Sequence, residues 1–128
     1  MFKDCFNLKF FENDKIDARH YSALTYALEN ITSSKLFPYI TKIIIYGSCV
    51  KGAYSYRSDV DIFIELNSDV INVNKYKKEM RMLRVFASSD NLEDVEADLK
   101  FYVGKDWMSD KHLYFQNVLR EGVVIYEQ

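Results

Sequence analysis

Two cysteines, Cys5 and Cys49, are too few and too far apart in the 128 residues for a disulfide framework or a zinc site, and they point to a reducing compartment. A basic excess is also missing. The 17 Lys and Arg against 19 Asp and Glu leave a net charge of −2, which removes any global electrostatic reason to expect direct nucleic-acid binding. No apolar run approaches the roughly 20 residues that span a membrane, and the first residues lack the basic-then-apolar layout of a signal peptide, so the expected location is the cytoplasm. Repeats, low-complexity tracts and interdomain linkers are absent too, so residues 1–128 are expected to form one domain. What is present, 48% apolar and 28% charged residues, suits a globular chain with one core and argues against disorder.

The chain is organised around Gly47 to Leu66. Before it, Ile43-Ile44-Ile45-Tyr46 is a β-branched apolar run. At its end, Val60, Ile62, Ile64 and Leu66 alternate with Asp59, Asp61 and Phe63. A two-residue period puts Asp59 and Asp61 side by side on one sheet face. Carboxylates crowded in this way repel, and the remedies are a bound cation, a shared proton or exposure to water. Gly47 lets the backbone come close to a ligand, and the Ser48 hydroxyl can meet a phosphate oxygen. A strand, a Gly-Ser turn and an Asp-x-Asp strand together suggest a site for a metal-bound phosphate.

Either side of this stretch the patterning gives alternating helices and strands. Residues 1–12 carry Phe2, Phe6, Phe10 and Phe11 with a mixed period that fits a strand or a short helix. Asn13 or Asp14 can cap a helix whose stripe is Ile16, Ala23, Leu24, Ala27, Leu28 and Ile31, and Pro38 marks a connector over 33–40. Tyr39, Tyr46, Tyr54 and Tyr56 surround the Gly-Ser turn, as packing or as rings to stack on a base. A helix over 74–88 is expected to bury Tyr76, Met80, Leu83 and Phe86, leaving Lys75, Lys77, Lys78, Arg81 and Arg84 as the one local basic cluster. Val95 to Val103 alternates again, with Glu96, Asp98, Lys100 and Tyr102 on the side of Asp59 and Asp61. A last helix runs from Asp106 or Ser109 to about Arg120, contains His112 and stops near Gly122. The short run Val123 to Tyr126 follows, and Trp107 is a core or interface anchor. The fold class is therefore α/β (α+β), a small mixed β-sheet with helices packed on one face.

Gly47-Ser48, ten residues from Cys49 to Ser58, then Asp59-Val60-Asp61 resembles the signature of the DNA polymerase beta-type nucleotidyltransferase superfamily, and within it the minimal nucleotidyltransferase (MNT) family. The resemblance covers roughly residues 14 to 126, with Gly-Ser to Asp-x-Asp as its specific part. Small bacterial members commonly carry Arg directly after Gly-Ser and again two positions later, where this chain has Cys49 and Lys51. The resemblance implies a nucleotidyltransferase fold, a third carboxylate at Asp98 with Glu96 as the alternative, and two Mg²⁺ ions held by Asp59, Asp61 and Asp98. It also implies ATP as substrate and nucleotide contacts from Gly47, Ser48, Lys51 and Ser58.

Many such small proteins act as antitoxins to an all-helical HEPN partner. The resemblance thus implies transfer of AMP from ATP to a hydroxyl of a helical partner protein. Relatives that modify aminoglycosides carry a further helical domain for which this chain has no length left. Three other readings stand beside it: a non-catalytic module of the same fold that blocks a partner by contact, a small-molecule (antibiotic) nucleotidyltransferase, and a glycosyltransferase using Asp-x-Asp to hold a metal and a nucleotide sugar.

Overall fold

Residues 5–12, 16–52, 55–68, 75–91 and 94–128 are described by the computed structural model of the chain. Helix α1 spans Ala18–Thr32 and buries His20, Leu24, Ala27, Leu28 and Ile31, a stripe at helical spacing. Its cap is neither Asn13 nor Asp14, which lie outside the described residues, but Asp17. Asp17 has extended backbone, and its carboxylate accepts from the His20 amide at 2.7 Å. Ile16 is buried just before the helix. A 3₁₀ turn over Phe37–Tyr39, with Pro38 in its first positions, leads into strand β1, Ile40–Tyr46. The N-terminal aromatics settle as a 3₁₀ turn over Lys9–Phe11, with Phe6, Leu8 and Phe11 in the core.

Strands β2 (Val60–Leu66), β3 (Ala97–Val103) and β4 (Val123–Glu127) complete a sheet of order β3-β2-β1-β4. β1 is antiparallel to both β2 and β4, whereas β2 and β3 run parallel. A parallel pair needs a crossover. Helix α3 (Lys75–Phe86) lies between β2 and β3 in the chain and packs with α1 on the face formed by Ile43, Ile45, Ile62 and Ile64. Its buried stripe is Tyr76, Leu83 and Ala87, with Met80 partly covered. Phe86, expected inside, is 57% exposed, because Ala87 continues the spacing from Tyr76 and Leu83 and turns Phe86 outward. No helix among the described residues is long and apolar enough to cross a membrane.

The second face is not bare. Ile44 and Phe63 point away from α1 and α3, and Trp107 and Val118 cover them, with Tyr46, Tyr102, Tyr114 and Phe115 packed around. The single helix expected over this region is divided into a 3₁₀ turn, Asp106–Ser109, and helix α4, Leu113–Glu121. Asp110 is extended and its carboxylate accepts from the His112 amide at 2.9 Å, which makes His112 the N-cap rather than a helical residue. Helices thus occupy both faces, two long ones on one and α4 on the other, because Ile44 and Phe63 give the second face an apolar patch of its own.

Glu65 ties this second layer to the sheet. It is fully buried, and its carboxylate accepts from Thr41 Oγ1 at 2.6 Å, Trp107 Nε1 at 2.7 Å and Lys105 Nζ at 3.0 Å. Burial alone would raise its pKa, but these three donors hold it below the ordinary glutamate value. Trp107→Phe keeps ring packing on Phe63, whose centroid is 4.6 Å away, and deletes one donor to a buried carboxylate. It is expected to lower stability by about 2 kcal/mol in urea denaturation. An unchanged midpoint would show that the indole hydrogen bond contributes nothing.

Candidate active site

β1 ends at Tyr46, and the chain turns at Gly47 with φ 82° into the single-turn helix α2, Ser48–Lys51, closed by Gly52 with φ 74°. A Cβ at position 47 would overlap the Asp61 carboxylate, so only glycine allows the turn and the acid to share this corner. Asp61 is opposite Tyr46 on β1 and opposite Asp98 on the parallel strand β3. One row across three strands therefore carries a phenol and two carboxylates on the same face. Asp59 comes one position before β2 and shares that side. It lines a cleft of about 520 Å³ with Asp98, Arg84, Val85, Ser88, Ser89, Glu96 and Ala97.

The register separates the two acids proposed for the third position. Asp98 is the direct partner of Asp61, whereas Glu96 lies before β3, is exposed, and offers its carbonyl to the Val60 amide at 2.9 Å. Asp98 has Lys100 Nζ 3.6 Å from its Oδ1, and no other described cation forms an ion pair with the three carboxylates.

The crowding is felt by the neighbours. Burial, then Asp98 and Asp59, push the Asp61 carboxyl up to about 6, against a small opposing pull from Lys100. Burial, Tyr114 and the charges of Asp61 and Asp98 drive the Tyr46 phenol far above its ordinary value, and the two hydroxyls are 2.9 Å apart. The Cys49 thiol is pushed up to about 11 by burial, then by Asp61, Asp17 and Asp59. It therefore stays a neutral thiol, buried beneath the turn with Sγ donating to the Asp59 carbonyl at 3.6 Å.

The nucleotide-contact residues expected from sequence fare differently. Gly47 and Ser48 form the turn beside Asp61. Lys51 is paired with Glu121 Oε2 of α4 at 3.0 Å, and the Ser58 hydroxyl accepts from the Ser55 amide at 2.8 Å. Tyr54 lies outside the described residues, while Tyr56 is exposed under the Arg19 guanidinium, 3.7 Å from the ring centroid.

Among the described residues no three His, Cys, Asp or Glu side chains are already drawn together as a metal cage. The donor chemistry nonetheless fits a hard divalent ion. Asp59, Asp61 and Asp98 offer only oxygen, and the raised Asp61 carboxyl marks negative charge that a cation would relieve. Sequence reasoning missed His20 and Arg19. His20 Nε2 donates to the Ser58 carbonyl at 3.0 Å and Arg19 Nη1 to the Tyr56 carbonyl at 2.6 Å, contacts across 38 and 37 positions that no local pattern signals.

The chain matches the family model described as polymerase beta, nucleotidyltransferase, over residues 27–128. No curated protein matches it. Among solved structures, a protein from Sulfolobus solfataricus with a provisional nucleotidyltransferase name superposes with a TM-score of 0.54 at 17% identity, covering 86% of this chain and 82% of that one. At that identity the likeness is one of fold.

Because the folded pKa of Asp61, about 6, lies above the ordinary 3.8, the native state holds this proton more tightly than the unfolded chain. The stability this adds is fully present below pH 3.8 and is lost as pH rises through 6. Asp61→Asn is therefore expected to stabilise the metal-free protein by about 1 kcal/mol at pH 8, after discounting for the half-exposed carboxylate, and by nothing near pH 3.5. Thermal unfolding in chelator at the two pH values checks this. An Asn variant no more stable than the wild type at pH 8 would mean that burial and the neighbouring acids do not penalise the Asp61 charge.

Proposed function

The chain belongs to the polymerase beta nucleotidyltransferase family, and from that premise we propose that it transfers AMP from ATP to a hydroxyl group in a magnesium-dependent reaction. The observation that carries this reading is the row Asp61–Asp98 with Asp59 beside it, pressed against a turn that only glycine can make. Asp59, Asp61 and Asp98 would hold the metal. When bound, Mg²⁺ neutralises phosphate charge and makes the attacking hydroxyl more acidic.

The protein's own part is positional. Gly47 lets backbone come close to the triphosphate, and Ser48 offers a hydroxyl donor. The acceptor oxygen attacks the α-phosphorus, the bond to the bridging oxygen breaks, and pyrophosphate leaves with the electron pair. The acceptor's proton passes to Asp98, whose side chain is 41% exposed and lines the open cleft. Asp59 and Asp61 keep the reacting groups in line, so no separate nucleophile is required.

The acceptor in this reading is a hydroxyl on a helical partner protein, of the kind that pairs with antitoxins of the minimal type. What supports it is the surface beside the cleft. Met82, Val85 and Phe86 are exposed on α3, Lys77, Lys78, Arg81 and Arg84 surround them, and Val85 and Arg84 line the cleft of Asp59 and Asp98. A second reading, a non-catalytic module that blocks its partner by contact, draws support from the turn. Cys49 is buried where small bacterial members of the resembled family commonly carry Arg, and Lys51 is engaged with Glu121.

Incubation with α-labelled ATP, Mg²⁺ and an all-helical HEPN-type protein separates the two. Label is expected on the partner, to fall more than ~100-fold with Asp59→Asn or Asp98→Ala, and to persist largely with Glu96→Ala. An unlabelled partner that still binds would establish the non-catalytic reading. Label confined to a small molecule would overturn the protein acceptor.

A further inference from the structure

We propose that His20 is a positioning residue for Asp59, holding through the Ser58 carbonyl the backbone from which Asp59 presents its carboxylate. This rests on the reading of Asp59 as a metal-binding acid. The imidazole is fully buried in the core below the first turn of α1. An apolar side chain would fill that place without the cost of desolvating a ring with two polar nitrogens. Both nitrogens have partners. Nδ1 lies 2.7 Å from Asp17 Oδ1, and Nε2 lies 3.0 Å from the Ser58 oxygen. A carbonyl oxygen only accepts, so Nε2 carries the hydrogen. Asp17 in turn caps α1 through the His20 amide, so the ring is braced by the start of the helix that bears it.

The Ser58 carbonyl belongs to the peptide unit that leads into Asp59. That unit is planar, so fixing its oxygen fixes the direction in which the Asp59 Cα is set. The peptide on the other side is also fixed, with the Asp59 carbonyl accepting from Cys49 and the Val60 amide donating to Glu96. Arg19 adds a second hold on the same loop through Tyr56. The need for such holds follows from charge. Asp59 precedes the first paired residue of β2, so the strand ladder holds only the peptide after it, and repulsion from Asp61 and Asp98 favours its swinging away. A loop free to do that would offer two of three ligands.

Glutamine places an amide nitrogen where His Nε2 stands, whereas asparagine reaches only the Nδ1 position, toward Asp17. Three readouts apply to His20→Gln and His20→Asn: amide hydrogen exchange of residues 55–60 without metal, affinity for Mn²⁺ as the probe, and transfer from labelled ATP. His20→Asn is expected to speed exchange in 55–60 and to weaken Mn²⁺ binding ~10-fold, with transfer falling in step, while His20→Gln stays within about 2-fold of wild type. A residue that merely fills the core would cost both variants alike, so equal effects, or wild-type Mn²⁺ affinity in His20→Asn, would overturn the proposal. Where His20→Asn fails to fold, Asp17→Asn loosens the ring's other anchor from the surface and is expected to give a smaller loss of the same kind; an unchanged Mn²⁺ affinity there would count against it. If the wild type transfers nothing, nucleotidyl transfer fails while the exchange contrast still decides the role of His20.

Discussion

Repulsion among Asp59, Asp61 and Asp98 is the constraint on which this end of the sheet depends. Pairing puts Asp61 directly beside Asp98, and burial there raises the Asp61 carboxyl to about 6 and reaches Tyr46 and Cys49 as well. A fold selected for stability alone would disperse such charge. Here the surrounding elements hold it together: Gly47 has no Cβ to separate turn from acid, and Lys100 offers one partial counter-charge. The strain is tolerable because the rest of the same strands is well anchored. Ile43, Ile45, Ile62 and Ile64 are buried under α1 and α3, and Glu65 is satisfied by three donors.

The two faces of β2 divide these tasks. One presents Val60, Ile62, Ile64 and Leu66 to the main core, and the other carries Asp59, Asp61, Phe63 and Glu65 in sequence. Along that second face the environment passes from open cleft to aromatic cluster to buried ion network, within one strand. The end that carries the acids is thus open while the far end is closed by Trp107, so an open cleft and a firmly held sheet coexist on one face.

Local period carried much of this in the sequence. The alternation of Val60 to Leu66, the Gly47-Ser48 turn and the second alternation through Asp98 each need only neighbours to be read. What could not be read depends on distant partners or on competition between equivalent residues. Asn13, Asp14 and Asp17 are all good caps, and the backbone chosen for α1 is the one that sends His20 into the core. Phe86 reads as core by its chemistry, but Ala87 holds the buried position. Asp110 divides the last helix through a contact to its own chain two residues on, a signal easily lost among other polar residues. Glu65 looks like an ordinary acid until Thr41, Lys105 and Trp107, at separations of 24, 40 and 42 positions, close around it.

The central claim is that these carboxylates form a cation site whose charge is only partly compensated in the bare protein. The ¹³C shift of the Asp61 side-chain carboxyl, followed through a pH titration with and without Mg²⁺, addresses it directly. The account predicts a midpoint near 6 in chelator, moving well below that value when Mg²⁺ is added. A midpoint near 3.8 that Mg²⁺ leaves unmoved would contradict it.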